Sequence, residues 1–177
     1  WHQLDELELP NVLTECFQAS QTALKLCNGV TSLEKDLIFA LAKRHPCDRA
    51  PDDFSIWDDN YATAMRHMNK KYPDNPDVTA LFVEAIISQT PWKLWDLNTG
   101  MPKVGAATIE AKETLEKAID LIERNGSPPH AGILHYYIHV MEMSPTPEAA
   151  LRAGDLMRTL VPDCGHLLHM PTHIDFQ

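Results

Sequence analysis

LIERNGSPPHAGILHYYIH, residues 121–139, and DLMRTLVPDCGHLLHMPTH, residues 155–173, superpose at a shift of 34 residues. Pro128 falls on Pro162, Ile133 on Leu167, Leu134 on Leu168, His135 on His169 and His139 on His173. A period of 34 is that of a two-helix repeat, and such a unit buries its apolar face only by stacking on a neighbour. The period therefore points to a helical array. An earlier stretch, YPDNPDVTALFVEAI, matches when Pro73 is laid on Pro128, a shift of 55, which is one period plus an insertion of 21. That register sets Ala80 against His135 and Glu84 against His139. It rests on a Pro-turn-helix pattern with little identity.

Outward from this core, helical periodicity recurs and strand alternation is nearly absent. Pro10 suits a first helical position before VLTECFQASQTALKLC, and Asn28-Gly29 ends that helix. Thr31 and Glu34 have the spacing of a capping box for a second helix running to about residue 43. Further helices are expected over 55–71, 77–89, 106–124, 131–143, 147–160 and 165–177. The fold class is all-α, about eight helices in helical-hairpin repeats. Residues 1–177 read as a single helical-repeat domain, with 91–105 (PWKLWDLNTGMPKVG) a long loop inserted between repeats. The loop, with Trp92, Trp95 and Asp96, reads either as functional or as an aromatic-anchored connection packed on the helices.

The histidines carry the chemistry. On a helix, His135 and His139 lie on one face with Cβ atoms about 5–6 Å apart, close enough to share a metal. Glu142 continues that face. His166, His169 and His173 make a second stripe, spaced by three and four. Pro171 interrupts it, since proline removes a donor and clashes inside a helix. A helix starting near Met170 would leave His169 at a cap position and only His173 firmly on its face. First helices of stacked repeats run about 8–10 Å apart, so both stripes can face one groove. The expected ligands are His135, His139, His166, His169 and His173, with Glu84 or Glu142 completing the shell or moving protons. Imidazole donors suit iron, copper or zinc, and not magnesium or calcium. The competing reading of any HxxxH pair is a surface or hydrogen-bonded packing role. His2, His45 and His67 are read as surface or packing residues, and His130, after Pro128-Pro129, as a structural residue at a helix start.

A formal net charge of −10 argues against general nucleic-acid binding, which draws on clustered Lys and Arg. No stretch reaches the roughly 20 apolar residues of a membrane span, and the start has no signal-peptide character. Cys16, Cys27, Cys47 and Cys164 show no CxxC spacing, so they read as reduced, mostly core cysteines of an intracellular, cytoplasmic protein. The sequence contains no GxGxxG or GxxxxGK[ST] phosphate loop, no GxSxG elbow and no HExxH pair. The chain opens on Trp1 and stops at HIDFQ, and is expected to be a fragment of a longer one.

Through YPDNPDVTALFVEAI, PWKLWDLNTGMP and the run from HAGILHYYIH to HMPTHI, and more loosely from Leu4 to Arg44, the chain resembles a family of tetratricopeptide-repeat domain proteins whose members are longer at both ends. The resemblance covers most of the chain and implies a helical-repeat fold. It carries no activity across, so the metal reading comes from spacing. The first expectation is a metal-dependent enzyme with a His-rich site between adjacent repeats, oxidising a small molecule at non-haem iron or copper. Trp92, Trp95, Tyr136 and Tyr137 would wall its substrate pocket. A zinc-dependent hydrolase stands close behind. A different class is a non-enzymatic scaffold whose concave face binds a peptide or protein partner. None of these readings involves nucleic acid or membrane.

Overall fold

Thr31 opens its helix as its spacing from Glu34 predicts. The Glu34 amide donates to Thr31 Oγ1 at 3.2 Å, and the Thr31 amide donates back to Glu34 Oε2 at 2.8 Å. The computed structural model describes Asp5 and residues 7–176. These residues are 65% helical and contain no strand; the closest approach to one is a single bridge between Trp95 and Pro102. The all-α expectation is borne out. His2 and the last expected helical residue, Gln177, lie outside the described residues.

The chain divides into two compact units, Trp1–Lys71 and Tyr72–Gln177. In the first, α1 (Leu9–Leu26) packs on α2 (Ser32–Arg44), and α2 packs on α3 (Ser55–Lys71). Pro10 stands in the first turn of α1, and Gly29, at φ 102°, takes the chain out of it in a conformation open to glycine. Leu13 and Ala40 are buried from α1 and α2, and Trp57, Tyr61, Met65 and Met68 from α3.

The second unit holds α4 (Pro76–Ile87), α5 (Thr108–Arg124), α6 (Ala131–Met141), α7 (Leu151–Leu160) entered through a 3-10 turn (Pro147–Ala150), α8 (Gly165–His169) and α9 (Thr172–Asp175). α4 packs on α5 and α6, α6 on α5, α7 and α9, and α7 on α8 and α9. The starts of α4, α6 and α8 fall at Pro76, Ala131 and Gly165, the register of the 55- and 34-residue shifts. Their N-cap residues, Asn75, His130 and Cys164, are all extended. Gly132 brings α6 against α4: a Cβ there would lie 3.1 Å from Ala80 Cβ.

The eighth expected helix is two short ones. Pro171 has no amide proton, so the helical hydrogen-bond ladder breaks between His169 and Thr172 although Met170 and Pro171 keep helical dihedrals. Helices of five and four residues are not stable alone. Met170, Pro171 and Ile174 are buried, and full burial of a side chain such as Met or Ile stabilises by about 1.5–3 kcal/mol. That docking orders the segment. Arg158 of α7 also donates to both carboxylate oxygens of Asp175, at 2.8 Å each.

Loop 91–105 is held by its own hydrogen bonds. The Asp96 carboxylate accepts from the amides of Asn98 and Thr99, and Trp95 Nε1 donates to the Val140 carbonyl of α6 at 2.7 Å. All four cysteines are free thiols, but Cys27 alone is buried and Cys47 is exposed in the connection after α2, which corrects the expectation of mostly core cysteines. Among the described residues no helix is long and apolar enough to cross a membrane.

Removing the Thr31 cap leaves one helix-terminal amide without its acceptor. Thr31→Ala is expected to lower unfolding stability by about 1 kcal/mol, read as a shift of the urea midpoint with an unchanged m value.

Candidate metal centre

α6 is apolar around most of its circumference: Ile133, Leu134, Tyr137, Ile138, Val140 and Met141 are buried against its neighbours. The remaining stripe carries His135, His139 and, one turn on, Glu142, all half-buried. Positions i, i+4 and i+7 of a helix lie on one face, so α6 presents two imidazoles and a carboxylate in a row. The second stripe arrives from α8 and α9. His169 and His173 each precede a buried residue, Met170 and Ile174, which sets them at the rim of the docked segment.

The two stripes meet. His135 Nε2 lies 3.0 Å from His166 Nε2 across the two stripes, and within the second His169 Nε2 lies 3.1 Å from His173 Nε2. Ring centroids close the circle: His135 to His139 is 4.7 Å, His139 to His173 5.4 Å, His173 to His169 5.1 Å, His169 to His166 4.9 Å and His166 to His135 5.0 Å. Five imidazoles from three helices form one cluster.

Glu142 ties it together. Its Oε1 accepts from His139 Nδ1 at 3.1 Å, and its Oε2 takes a short contact from His173 Nδ1. Because an ionised carboxylate can only accept, both histidines carry a proton on Nδ1, and in the neutral ring this leaves Nε2 as the lone pair. A carboxylate behind a histidine in this way fixes the tautomer and raises the basicity of the ligating nitrogen.

Titration within the cluster is set by burial and by its own members. Burial, then the neighbouring imidazoles of His139, His166, His173 and His169, push His135 down to about 4, so it is neutral and ready to ligate at neutral pH. His166 is lowered by burial and then by His169, His139 and His173. Burial works to raise the Glu142 carboxyl, but hydrogen bonds from His139 and His173 outweigh it and hold it below the usual glutamate range. Lowered His135 and His166 keep nitrogen lone pairs free beside an ionised carboxylate.

The other candidates fall in different places. Glu84 accepts from Oγ of Ser88, the residue that caps its own helix, at 3.3 Å and is not among the mutually close ligand atoms of the cluster. Of the four aromatic residues, Tyr136 lies beside His135, with ring centroids 4.7 Å apart and planes tilted by 50°. Tyr137 is buried on the α5 side, donates to Glu116 Oε1 at 3.1 Å, and is pushed up to about 12 by burial and then by that carboxylate. Trp95 anchors the loop, and Trp92 is 65% exposed with φ 58°. Tyr137 therefore turns toward α5 and away from the histidine face of α6. His130 is a helix cap: its Nδ1 accepts from the Ile133 amide and its Nε2 meets Asp77 Oδ1 at 3.1 Å.

One feature went unread in the sequence. In the first unit, Phe39, Ala40 and Lys43 of α2 face Ala64, His67 and Met68 of α3 across a groove of about 620 Å³. Its signal was the stripe of residues three and four apart on each helix. His45, read with His67 as a packing or surface residue, is half-buried, and burial and then Arg44 lower its pKa.

Acid should destabilise the metal-free protein. An unfolded histidine protonates near 6.5, whereas folded His135 resists protonation until about 4. Between those values the unfolded chain binds more protons, so stability falls as pH falls. The lowered Glu142 carboxyl acts in the same direction, its contribution being lost as pH drops through the carboxylate range. Denaturant unfolding of chelator-treated protein from pH 7.5 to 4.5 is expected to show this slope, and His135→Gln to flatten it. An equal slope in the variant would contradict the assignment.

Comparison of the chain with protein-family models, with curated proteins and with solved structures finds no match.

Proposed function

We propose that the unit Tyr72–Gln177 is a transition-metal-dependent catalytic domain of helical-hairpin, tetratricopeptide-like repeats, oxidising a small molecule at iron or copper. The observation that carries this reading is the meeting of His135, His139, His166, His169 and His173 around Glu142. Packing histidines of unrelated function have no reason to converge from three helices with Nε2 atoms about 3 Å apart. The repeat reading is supported by the matched starts of α4, α6 and α8 and by α6 contacting both α4 and α9.

A bound iron or copper ion would supply Lewis acidity and electron transfer. The chain's own residues do the rest. Glu142 holds the Nδ1 protons of His139 and His173 and so aims their Nε2 atoms into the cluster. His166 and His169 are exposed, which leaves a side of the cluster open to a small molecule. Tyr136, beside His135, offers that molecule an aromatic edge. Burial of the α6 face keeps the opposite side dry.

The same imidazoles also suit zinc and hydrolysis, so the metal decides the reaction. A second reading, a scaffold that binds a peptide or helix, draws on the groove between α2 and α3 in the other unit. Elemental analysis by inductively coupled plasma mass spectrometry of protein made in cells is expected to find near-stoichiometric iron or copper, and the His135→Ala/His173→Ala double variant to lose it. Dioxygen uptake with a panel of small phenols and amines should follow the metal. Zinc in its place, with activity on an ester panel, would move the reading to hydrolysis. Metal-free protein that also refuses added iron, copper and zinc would sink it.

A further inference from the structure

Among the described residues, the sets of three or more ligand atoms that all lie within 4.8 Å of one another are His135 with His139 and His166, and His139 with Glu142 and His173. Neither set contains both close Nε2 pairs, His135 with His166 and His169 with His173. This division bears on how many ions the cluster takes. At metal–nitrogen bonds of about 2.0–2.1 Å, two ligands of one ion sit about 2.9 Å apart at a right angle, about 3.4 Å apart at the tetrahedral angle, and never beyond about 4.2 Å. The Nε2 pairs, at 3.0 Å and 3.1 Å, each have the spacing of two ligands on one ion. Among the described residues no set of four or five ligand atoms lies within 4.8 Å of one another.

We infer that the cluster is a two-ion centre, with one transition-metal ion on His135, His139 and His166, a second on His169 and His173, and Glu142 as the single carboxylate shared behind both. The inference rests on the metal reading proposed above and refines it. Both contacts of the carboxylate have a place in this arrangement. Glu142 Oε1 receives the Nδ1 proton of His139, a ligand of the first ion, and Oε2 receives that of His173, a ligand of the second. The carboxylate thus orients one ligand of each ion and offsets part of the charge of both.

The two sites are unequal. The first has three protein ligands, two of them on the well-packed helix α6. The second has two, both on the short segment around Pro171 with exposed His169. The second ion therefore binds more weakly and keeps more open coordination positions, and it is the one a small molecule or solvent reaches first.

Cobalt(II) titration of chelator-treated full chain, followed by visible absorption and by dialysis with elemental analysis, tests this. Two ions per chain at saturation are expected, taken up in two phases. His169→Ala should abolish the weaker phase and leave the tighter one. His166→Ala should weaken the tighter phase. Glu142→Gln should weaken both by about 10–100-fold, the usual loss when a carboxylate behind a ligating histidine is removed. Saturation at one ion per chain would overturn the two-ion centre while leaving the metal reading intact, as would a His169→Ala variant that keeps both phases. No uptake by the wild-type chain would overturn both. Far-UV circular dichroism identifies any variant that fails to fold, and in that case the wild-type stoichiometry still decides.

Discussion

Glu142 stands at the end of α6 and accepts from His139 on its own helix and from His173 on another element. A half-buried carboxylate is costly unless it is paired, and burial by itself would raise its pKa. Here the two imidazole donors reverse that tendency and keep it ionised. In return the carboxylate decides which nitrogen of each ring carries the proton. A cluster of imidazoles without it would have no fixed tautomers and no preferred direction for its lone pairs.

That constraint can be met only if α9 sits where it does. α8 and α9 are too short to persist alone, and the exposed pairing of Arg158 with Asp175 contributes little in water. Apolar burial is the larger effect. Met170, Pro171 and Ile174 sit in the core beside α7, where a Cβ on Gly154 would already touch Pro171 at 3.5 Å. The residue before each of two buried anchors is a histidine. Packing of the segment and presentation of the ligands are therefore one event, and a change that undocks Met170 or Ile174 would dissolve the cluster without touching a ligand.

Much of this was legible in the sequence because helix starts are written locally. Thr31 with Glu34, Pro10, Asn28-Gly29 and the proline-aligned register each depend on residues within a few positions, and the helices begin where those signals place them. The HxxxH spacings likewise put His135 beside His139, and His169 beside His173, through local geometry alone. Pro171 marked the break that divides the last helix, although the short helix before it was not foreseen. What local pattern cannot carry is rotation about a helix axis. Tyr136 and Tyr137 are adjacent, yet one lies beside His135 and the other is buried against Glu116, a choice made by packing on α5. Glu142 and Glu84 were equal candidates by spacing, and only the three-dimensional arrival of His173 gives Glu142 its two partners. The groove between α2 and α3 went unread for the same reason, since neither stripe means anything until the other helix faces it.

X-ray absorption at the metal edge, on protein purified from cells without added metal, tests the central claim most directly. The account predicts a light-atom shell near 2 Å with the outer-shell scattering of imidazole rings, lost in the His135→Ala/His173→Ala protein. A metal shell of oxygen atoms alone, unchanged by that double substitution, would contradict it.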